Sequence, residues 1–533
     1  MTRPLSLFAA PALLLAALAT AHASDWPSYN NTVDGARYVP LTQINPGNIR
    51  DLRESCSVAL GDDGPFQTGP LLINGILYVT TGHTTVAIGA TNCHVIWRQV
   101  HAATGKELLP VSRGLAYLDG LLFRGTTDGH LIAMDAKTGQ VRWRQLIADT
   151  SIGEFLSAAP IAANGLVYIG PAGSDWGVRG RMTAFDAKDG HEVWRFNLVP
   201  QGQEPGIETW KPATTAAQGG GATWTSYTLD PQTQELFVPV GNAAPDYNPD
   251  ARLGDNLYTD SLVVLDARTG QLKWYYQLNA NDGFDYDMSA PAVLYTDRQG
   301  HRRVGFASKN GHAYSMDRET HALLFKTPVT TILNAHARPT PDGIRVCPGT
   351  MGGTEWNGPA FSPRVQTLFV GSVDYCATFY SGETPYETGK PYNGTKVQMA
   401  SGDPKTGWVT ALQADTGAVL WQYATENPVV AAITPTASGL VFAGDTGGHF
   451  LVFDDQSGKV LLKKQMAGSL AGGIITYAAD NKQWVALAVG NRSIAFQDPQ
   501  ATPTLVLMRT GLPADHSAPQ IKAGPPTVEK TAQ

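Results

Sequence analysis

The chain has 533 residues, with 56 Gly, 35 Pro, 43% hydrophobic residues and only 16% charged ones. That mixture suits many short strands joined by turns, in several domains or in one large β architecture. A formal charge of −7, not clustered in one run, gives no case for nucleic-acid binding.

Arg3 gives a positive start, "LFAAPALLLAALA" an apolar stretch and Ala21-His22-Ala23 an A-x-A cleavage pattern, so residues 1–23 read as a secretory signal. An uncleaved anchor is the alternative, but the apolar stretch is short and the A-x-A pattern fits cleavage. No later apolar run approaches the length that spans a bilayer. Export would place the mature chain, from about Ser24, in the periplasm. In that oxidising compartment Cys56, Cys93, Cys347 and Cys376 permit two disulfides in any of three pairings. There is no C-x-x-C-H for covalent haem, no histidine pair at zinc spacing, no Walker motif and no G-x-S-x-G elbow.

One phrase recurs along the chain. "GHLIAMDAKTGQVRW" (129–143), "GRMTAFDAKDGHEVW" (180–194), "SLVVLDARTGQLKW" (261–274) and "GWVTALQADTGAVLW" (407–421) share one design. "GHAYSMDRETHALLF" (311–325) and "GHFLVFDDQSGKVLL" (448–462) are weaker copies, and "NCHVIW", ending at Trp97, reads as the remnant of another. Each copy has an alternating apolar strand, an Asp, a turn and a second strand usually ending in Trp, which predicts a hairpin. A spacing of about 40–50 residues fits four-stranded propeller blades. The expected fold is therefore all-β, an eight-bladed β-propeller over 24–512. Trp143, Trp194, Trp274 and Trp421 recur in register with the turn and should pack between neighbouring blades. "TPTLVLMRTG" (502–511) is the expected closing strand, and the Pro- and Ala-rich remainder, 513–533, is expected to be disordered.

The stretch "NANDGFDYDMSAP" (279–291) crowds Asp282, Asp285 and Asp287 between aromatic rings. Asp and Gly are ordinary turn residues, but carboxylates this close repel unless water or a cation intervenes. The repeats and the segments between them resemble the pyrroloquinoline-quinone (PQQ) dependent alcohol dehydrogenases, which include methanol and ethanol dehydrogenases. The resemblance runs in order from "DWPSYNNTVDGARYVPLTQINPGNIRDL" (25–52) through "SRGLAY", "GVRGRMTAFDAKDG", "GGGATW", "GNAAPDYN" and "DGFDYD" to "KNGHAYSMDR". It covers nearly all of the chain after the signal.

The resemblance implies PQQ and a cation, Ca2+ or alternatively a lanthanide ion, where loops converge on the propeller axis. Asn242, 18 residues after Trp224, matches the family's metal-binding asparagine. Asp175 in "GSDWGVRG" stands where the family has Glu; it is one methylene shorter, so a cation would sit nearer that strand. Asp285 matches the catalytic base. Asp287 matches an extra Asp of members thought to use lanthanides, although some calcium or magnesium glucose dehydrogenases share it. Two residues apart in an extended segment, both carboxylates would face one ion. Trp224 matches the tryptophan on which the quinone stacks, and Arg113 and Lys309 match cations that contact it. Ser157, Gly173 and Ser174 match further cofactor contacts. The 29-residue interval between Cys347 and Cys376 agrees with a family disulfide, so the expected pairing is Cys347–Cys376 with Cys56–Cys93.

Some positions depart from the family. Adjacent cysteines that form a lid before "RGLAY" are replaced by about Glu107-Leu108, so the lid is missing or made by Leu108. Gln67 stands for a Glu, and Glu355 in "GGTEWNG" for an Asn, both at cofactor-contacting positions. The reading implied is a periplasmic dehydrogenase: the cation polarises the quinone, Asp285 takes the hydroxyl proton, and hydride passes from the alcohol carbon to the quinone. Electrons would leave for a separate cytochrome c. The changed lid and small residues such as Ala222 point to a bulkier alcohol or polyol than methanol. The alternative is a non-catalytic propeller that binds proteins, as outer-membrane assembly propellers do.

Overall fold

Each recurring phrase forms the third and fourth strands of a four-stranded antiparallel sheet. The structure is a computed structural model and describes residues 25–526 except 384, 400–402, 404, 492–495 and 497–501. The signal at 1–23 and the last residues of the tail therefore lie outside the described residues. Blades 1 to 7 occupy 71–100, 116–146, 161–197, 228–277, 293–328, 360–425 and 434–465. Blade 8 unites the two ends of the chain. Strand Arg53–Ala59 pairs antiparallel with Thr504–Arg509, which pairs with Lys482–Val489, itself paired with Leu470–Ala479.

A fifth strand, Gln520–Lys522, pairs parallel with Arg53–Ala59. This corrects the expectation of disorder from 513 onward. The outer edge of Arg53–Ala59 offers unpaired backbone groups, and the tail satisfies them while Ile521 packs on the core beneath. Composition alone could not reveal that edge. A three-stranded sheet of Ile344–Val346, Ala377–Phe379 and Val397–Met399 also stands apart from the eight, in a region without the repeat.

The turn explains why the phrase repeats. Asp135 Oδ1 accepts the N–H groups of Lys137 and Thr138 and the Thr138 hydroxyl, while Gly139 takes a left-handed φ of 72°. The Trp ending one blade rests on the turn of the next. The indole N–H groups of Trp97, Trp143 and Trp194 donate to the carbonyls of Ala136, Ala187 and Ala267. A Cβ at Gly139 or Gly190 would stand 2.7 Å from the ring that covers it. The weaker copy at 311–325 shows the cost of departing from this design. His321 replaces the glycine, its ring stacks on Trp274 at 4.5 Å, and the Trp274 N–H has no partner among the described residues.

The disulfides are Cys56–Cys93 and Cys347–Cys376. The first ties the closing blade to blade 1 across 37 residues. Loop-closure entropy for a ring of that size is worth about 4 kcal/mol. Replacing Cys56 and Cys93 together by Ser should lower stability by that order in denaturant unfolding. An unchanged midpoint would mean that strand pairing alone holds the ring closed.

Candidate active site

Blades 2 to 6 send connecting segments to one cavity of about 370 Å3. Arg113 and Ser157 lie on the segments entering blades 2 and 3; Trp224, then Asp285 with Asp287, then Glu355 lie on those entering blades 4, 5 and 6. Gly173, Ser174 and Asp175, then Asn242, then Lys309 come from the second-to-third-strand connections of blades 3, 4 and 5. Of the site residues expected from sequence, Gln67 alone does not line the cavity. Its segment is drawn toward the closing blade, where the Gly473 N–H donates to the Thr68 carbonyl, and the Gln67 Oε1 is buried without a hydrogen-bond partner among the described residues.

The crowded acids divide into two roles. Asp282 Oδ2 accepts the N–H groups of Phe284 and Tyr286 at 3.1 and 2.9 Å, so it shapes the turn. Asp285 and Asp287 both line the cavity, with the Lys309 ammonium 2.9 Å from Asp285 Oδ2 and 2.7 Å from Asp287 Oδ2. They do not converge through an extended segment, as expected from sequence: Asp285 has a left-handed φ of 63°. The Thr350 hydroxyl also donates to Asp285 Oδ2. Asp287 accepts the Asn242 backbone N–H and, at 3.2 Å, the Trp224 indole N–H. Only glycine fits at 241, where a Cβ would stand 2.9 Å from both Asp287 Oδ1 and Ser174 Oγ.

Trp224 forms a half-buried aromatic wall. The Arg113 guanidinium lies 4.6 Å from its ring centroid and the Lys309 ammonium 5.5 Å. Arg113 and the Ser157 hydroxyl both donate to the Trp224 carbonyl, at 2.7 and 3.0 Å. Leu109, Val111, Phe155, Trp176 and Met351 supply the apolar wall. Leu109 and Val111 thus replace the expected Leu108, while Glu107 turns away to His83 at 2.7 Å. Ala222 is fully buried, its N–H donating to Ser174 Oγ, and it does not widen the cavity.

Sequence reasoning missed Trp176, Asp246 and Thr350. Asp246 stands four residues after Asn242 and accepts that side chain's amide N–H at 2.8 Å, so the "GNAAPDYN" motif held the signal. Thr350 had none, because the added sheet that positions it is not part of the repeat.

Five carboxylates, Asp175, Asp246, Asp285, Asp287 and Glu355, face two cations, Arg113 and Lys309. Burial pushes the Asp285 carboxyl well above its ordinary range, Lys309 offsetting part of the effect while Asp287 adds to it. Burial, then Asp175 and Asp285, does the same to Asp246. Burial also brings Arg113 down to about 10. It opposes the Lys309 ammonium too, but the Asp285 and Asp287 carboxylates outweigh it and hold that pKa well above the ordinary value. Among the described residues, the set of three metal-binding groups with all ligand atoms within 4.8 Å is Asp186, Asp189 and His191, on a blade turn. The cavity carboxylates stand further apart, as like charges do.

Glu355 gives a pH test. Burial raises its pKa to about 7, with Lys309 offsetting part of the effect. A raised folded-state pKa means that ionisation favours unfolding, so the associated stability is whole below the unfolded value and is lost as pH climbs through about 7. Glu355→Gln should therefore change little at about pH 4 and stabilise by about 3 kcal/mol at about pH 8. Equal gains in denaturant unfolding at both pH values would refute an effect of ionisation.

The oxygens of Asp175, Asn242, Asp246, Asp285 and Asp287 suit a hard cation. An indole face flanked by a guanidinium and an ammonium suits a flat anionic aromatic cofactor. The residues fit both groups.

Comparison with known proteins agrees with the fold. Residues 26–337 match the family model "Glucose/ethanol/alcohol dehydrogenase, beta-propeller domain", and 405–520 match that of "Outer membrane protein assembly factor BamB". The chain is 30% identical to the lanthanide-dependent methanol dehydrogenase of Methylacidiphilum fumariolicum, over 87% of this chain and 84% of that protein. It is 30% identical to the dehydrogenase subunit of the alcohol dehydrogenase (quinone) of Komagataeibacter europaeus, over 88% of this chain and 72% of the relative. The fold superposes on a europium-containing methanol dehydrogenase with a TM-score of 0.82 at 26% identity, covering 91% of this chain and 98% of the other.

Proposed function

Because the chain belongs to the PQQ-dependent alcohol dehydrogenase family, we propose that it oxidises a primary or secondary alcohol, or a polyol, to the aldehyde or ketone. The observation that carries this reading is the meeting of Asp285, Asp287, Lys309 and Trp224 in one cavity. PQQ would lie on Trp224 with Arg113 and Lys309 as its cationic contacts, and Ca2+ or a lanthanide ion would be held by Asp175, Asn242, Asp285 and Asp287. Together, when bound, they supply a two-electron acceptor polarised by a Lewis acid. The excess of carboxylates favours the trivalent ion.

Asp285 Oδ2 is held by Lys309 and Thr350, which leaves Oδ1 to take the hydroxyl proton of the alcohol. The raised pKa of this carboxyl brings it closer to neutrality, where a base can both accept and release a proton. Leu109, Val111, Phe155 and Trp176 enclose the carbon chain of the alcohol and keep water from it. That wall suits an alcohol larger than methanol; a clear preference for methanol would refute this choice. A separate cytochrome c takes the electrons, since the chain has no haem-attachment motif. The signal at 1–23 supports a periplasmic location.

The test is a PQQ titration of the purified protein with Ca2+, La3+ or no metal, followed by absorbance and by dye reduction with alcohols of increasing length. Saturable, metal-dependent binding with dye reduction is expected. No binding with any metal would replace this reading by the protein-binding propeller, which the assembly-factor match at 405–520 favours. Among the described residues that segment contributes none to the cavity, so the match concerns the repeat.

A further inference from the structure

The two sides of the cavity differ in charge balance. Asp285 and Asp287 share the Lys309 ammonium. Asp175 and Asp246 have no ion-pair partner among the described residues, although Asp246 is only 2% exposed and lines the cavity. Their common partner is the Asn242 amide, whose N–H group donates to Asp246 Oδ1 at 2.8 Å and also reaches Asp175. The buried guanidinium of Arg252 offsets only part of this charge from a distance, because its hydrogen bonds go to the carbonyls of Ala243, Pro245, Asp246 and Asp282 and to Asn256 Oδ1. Glu355, 5% exposed and also lining the cavity, takes no hydrogen bond or ion pair among the described residues. Buried carboxylates without a counter-charge are costly unless a cation reaches them.

The carboxyl groups without an ion-pair partner among the described residues, Asp175 and Asp246, thus lie on either side of the Asn242 amide. Asp175 has a short reach, and Asp246, on the same connection as Asn242, supplies a carboxylate oxygen beside it. On the reading above that this cavity holds a cation, we propose that Asp246 is a direct ligand of that ion, a further carboxylate beside Asp175, Asn242, Asp285 and Asp287, and that it biases the site toward trivalent ions. Ion binding then closes the separated carboxylates onto one centre.

Calorimetry of the full chain with La3+ and with Ca2+ reads both affinities, and Eu3+ luminescence lifetimes in H2O and D2O count the waters left on the bound ion. Asp246→Asn keeps the side chain's shape and an acceptor for the Asn242 amide while removing the charge. It should weaken La3+ by at least about tenfold and Ca2+ by less. Asp246→Ala, which removes the oxygen itself, should add about one water to bound Eu3+. The metal-free melting temperature of Asp246→Asn should hold or rise, because a buried like charge is gone. A fall in that temperature with an intact La3+:Ca2+ ratio and water count would overturn the proposal and leave Asp246 a structural residue. If the unmutated chain binds neither ion, the cation reading itself fails, and that outcome is distinct from selective loss in the variants.

Discussion

Asp285→Asn should lower kcat for alcohol oxidation by about 10²–10⁴, the usual worth of a positioned general base, with the protein still folded and loaded. Asn is nearly isosteric, and its carbonyl can accept the hydrogen bonds that Lys309 and Thr350 now give to Asp285 Oδ2. The change therefore isolates proton removal from architecture. Cofactor contacts are untouched at Trp224 and Arg113, but Asp285 is itself among the proposed cation ligands, so the ion should bind more weakly through Asp175, Asn242 and Asp287 and the assay is run at saturating ion. The measurement is steady-state dye reduction by the loaded variant beside a binding titration. Activity within about threefold of the parent would be too small a loss for a general base. The role would then pass to another of the cavity carboxylates, of which Glu355 takes no hydrogen bond or ion pair among the described residues.

Lys309→Met should destabilise the metal-free protein by about 3–5 kcal/mol at about pH 8, because it leaves Asp285 and Asp287 buried without their counter-charge. All three side chains are at most 10% exposed, so water cannot replace the ammonium. The pH dependence has a definite sign. The Lys309 pKa is held above its ordinary value, so its contribution is whole below that value and is lost only as pH rises through the folded-state pKa. The Asp285 pKa is also raised, so acidification protonates that carboxyl and narrows the deficit of the variant. Saturating La3+ should narrow it too, by supplying the missing charge. Denaturant unfolding at several pH values, with and without the ion, reads both trends. A loss below about 1 kcal/mol at alkaline pH, well short of a broken buried pair, would refute a counter-charge role for Lys309 in the metal-free chain.

Much of this protein could be read from the chain itself. The Asp-turn-Gly phrase determines the blade hairpins, because one Asp caps the turn and one Gly permits its backbone; these are short-range demands, written within a few residues of one another. Trp143, Trp194 and Trp421, each ending its phrase, rest on the Gly of the next blade's turn, and their recurrence in register marks that contact in the sequence. That Asp285, Asp287, Asn242, Trp224 and Lys309 would meet in one cavity was likewise legible, through the resemblance their motifs carry.

The tertiary structure decided the rest, because the rest depends on which distant segments meet. Asp246 belongs to the site only because the blade 4 connection folds against Asp175 of blade 3. Leu109 rather than Leu108 forms the wall because Glu107 is turned toward His83. Gln67 falls away from the cavity because its segment joins the closing blade. The tail at 520–522 becomes a strand because strand Arg53–Ala59, more than 400 residues earlier, leaves an open edge. Burial and like-charge proximity, which set the pKa values of Asp285, Asp246 and Glu355, arise only where blades converge; a linear sequence has residue types and spacings but no dielectric and no neighbours across the ring.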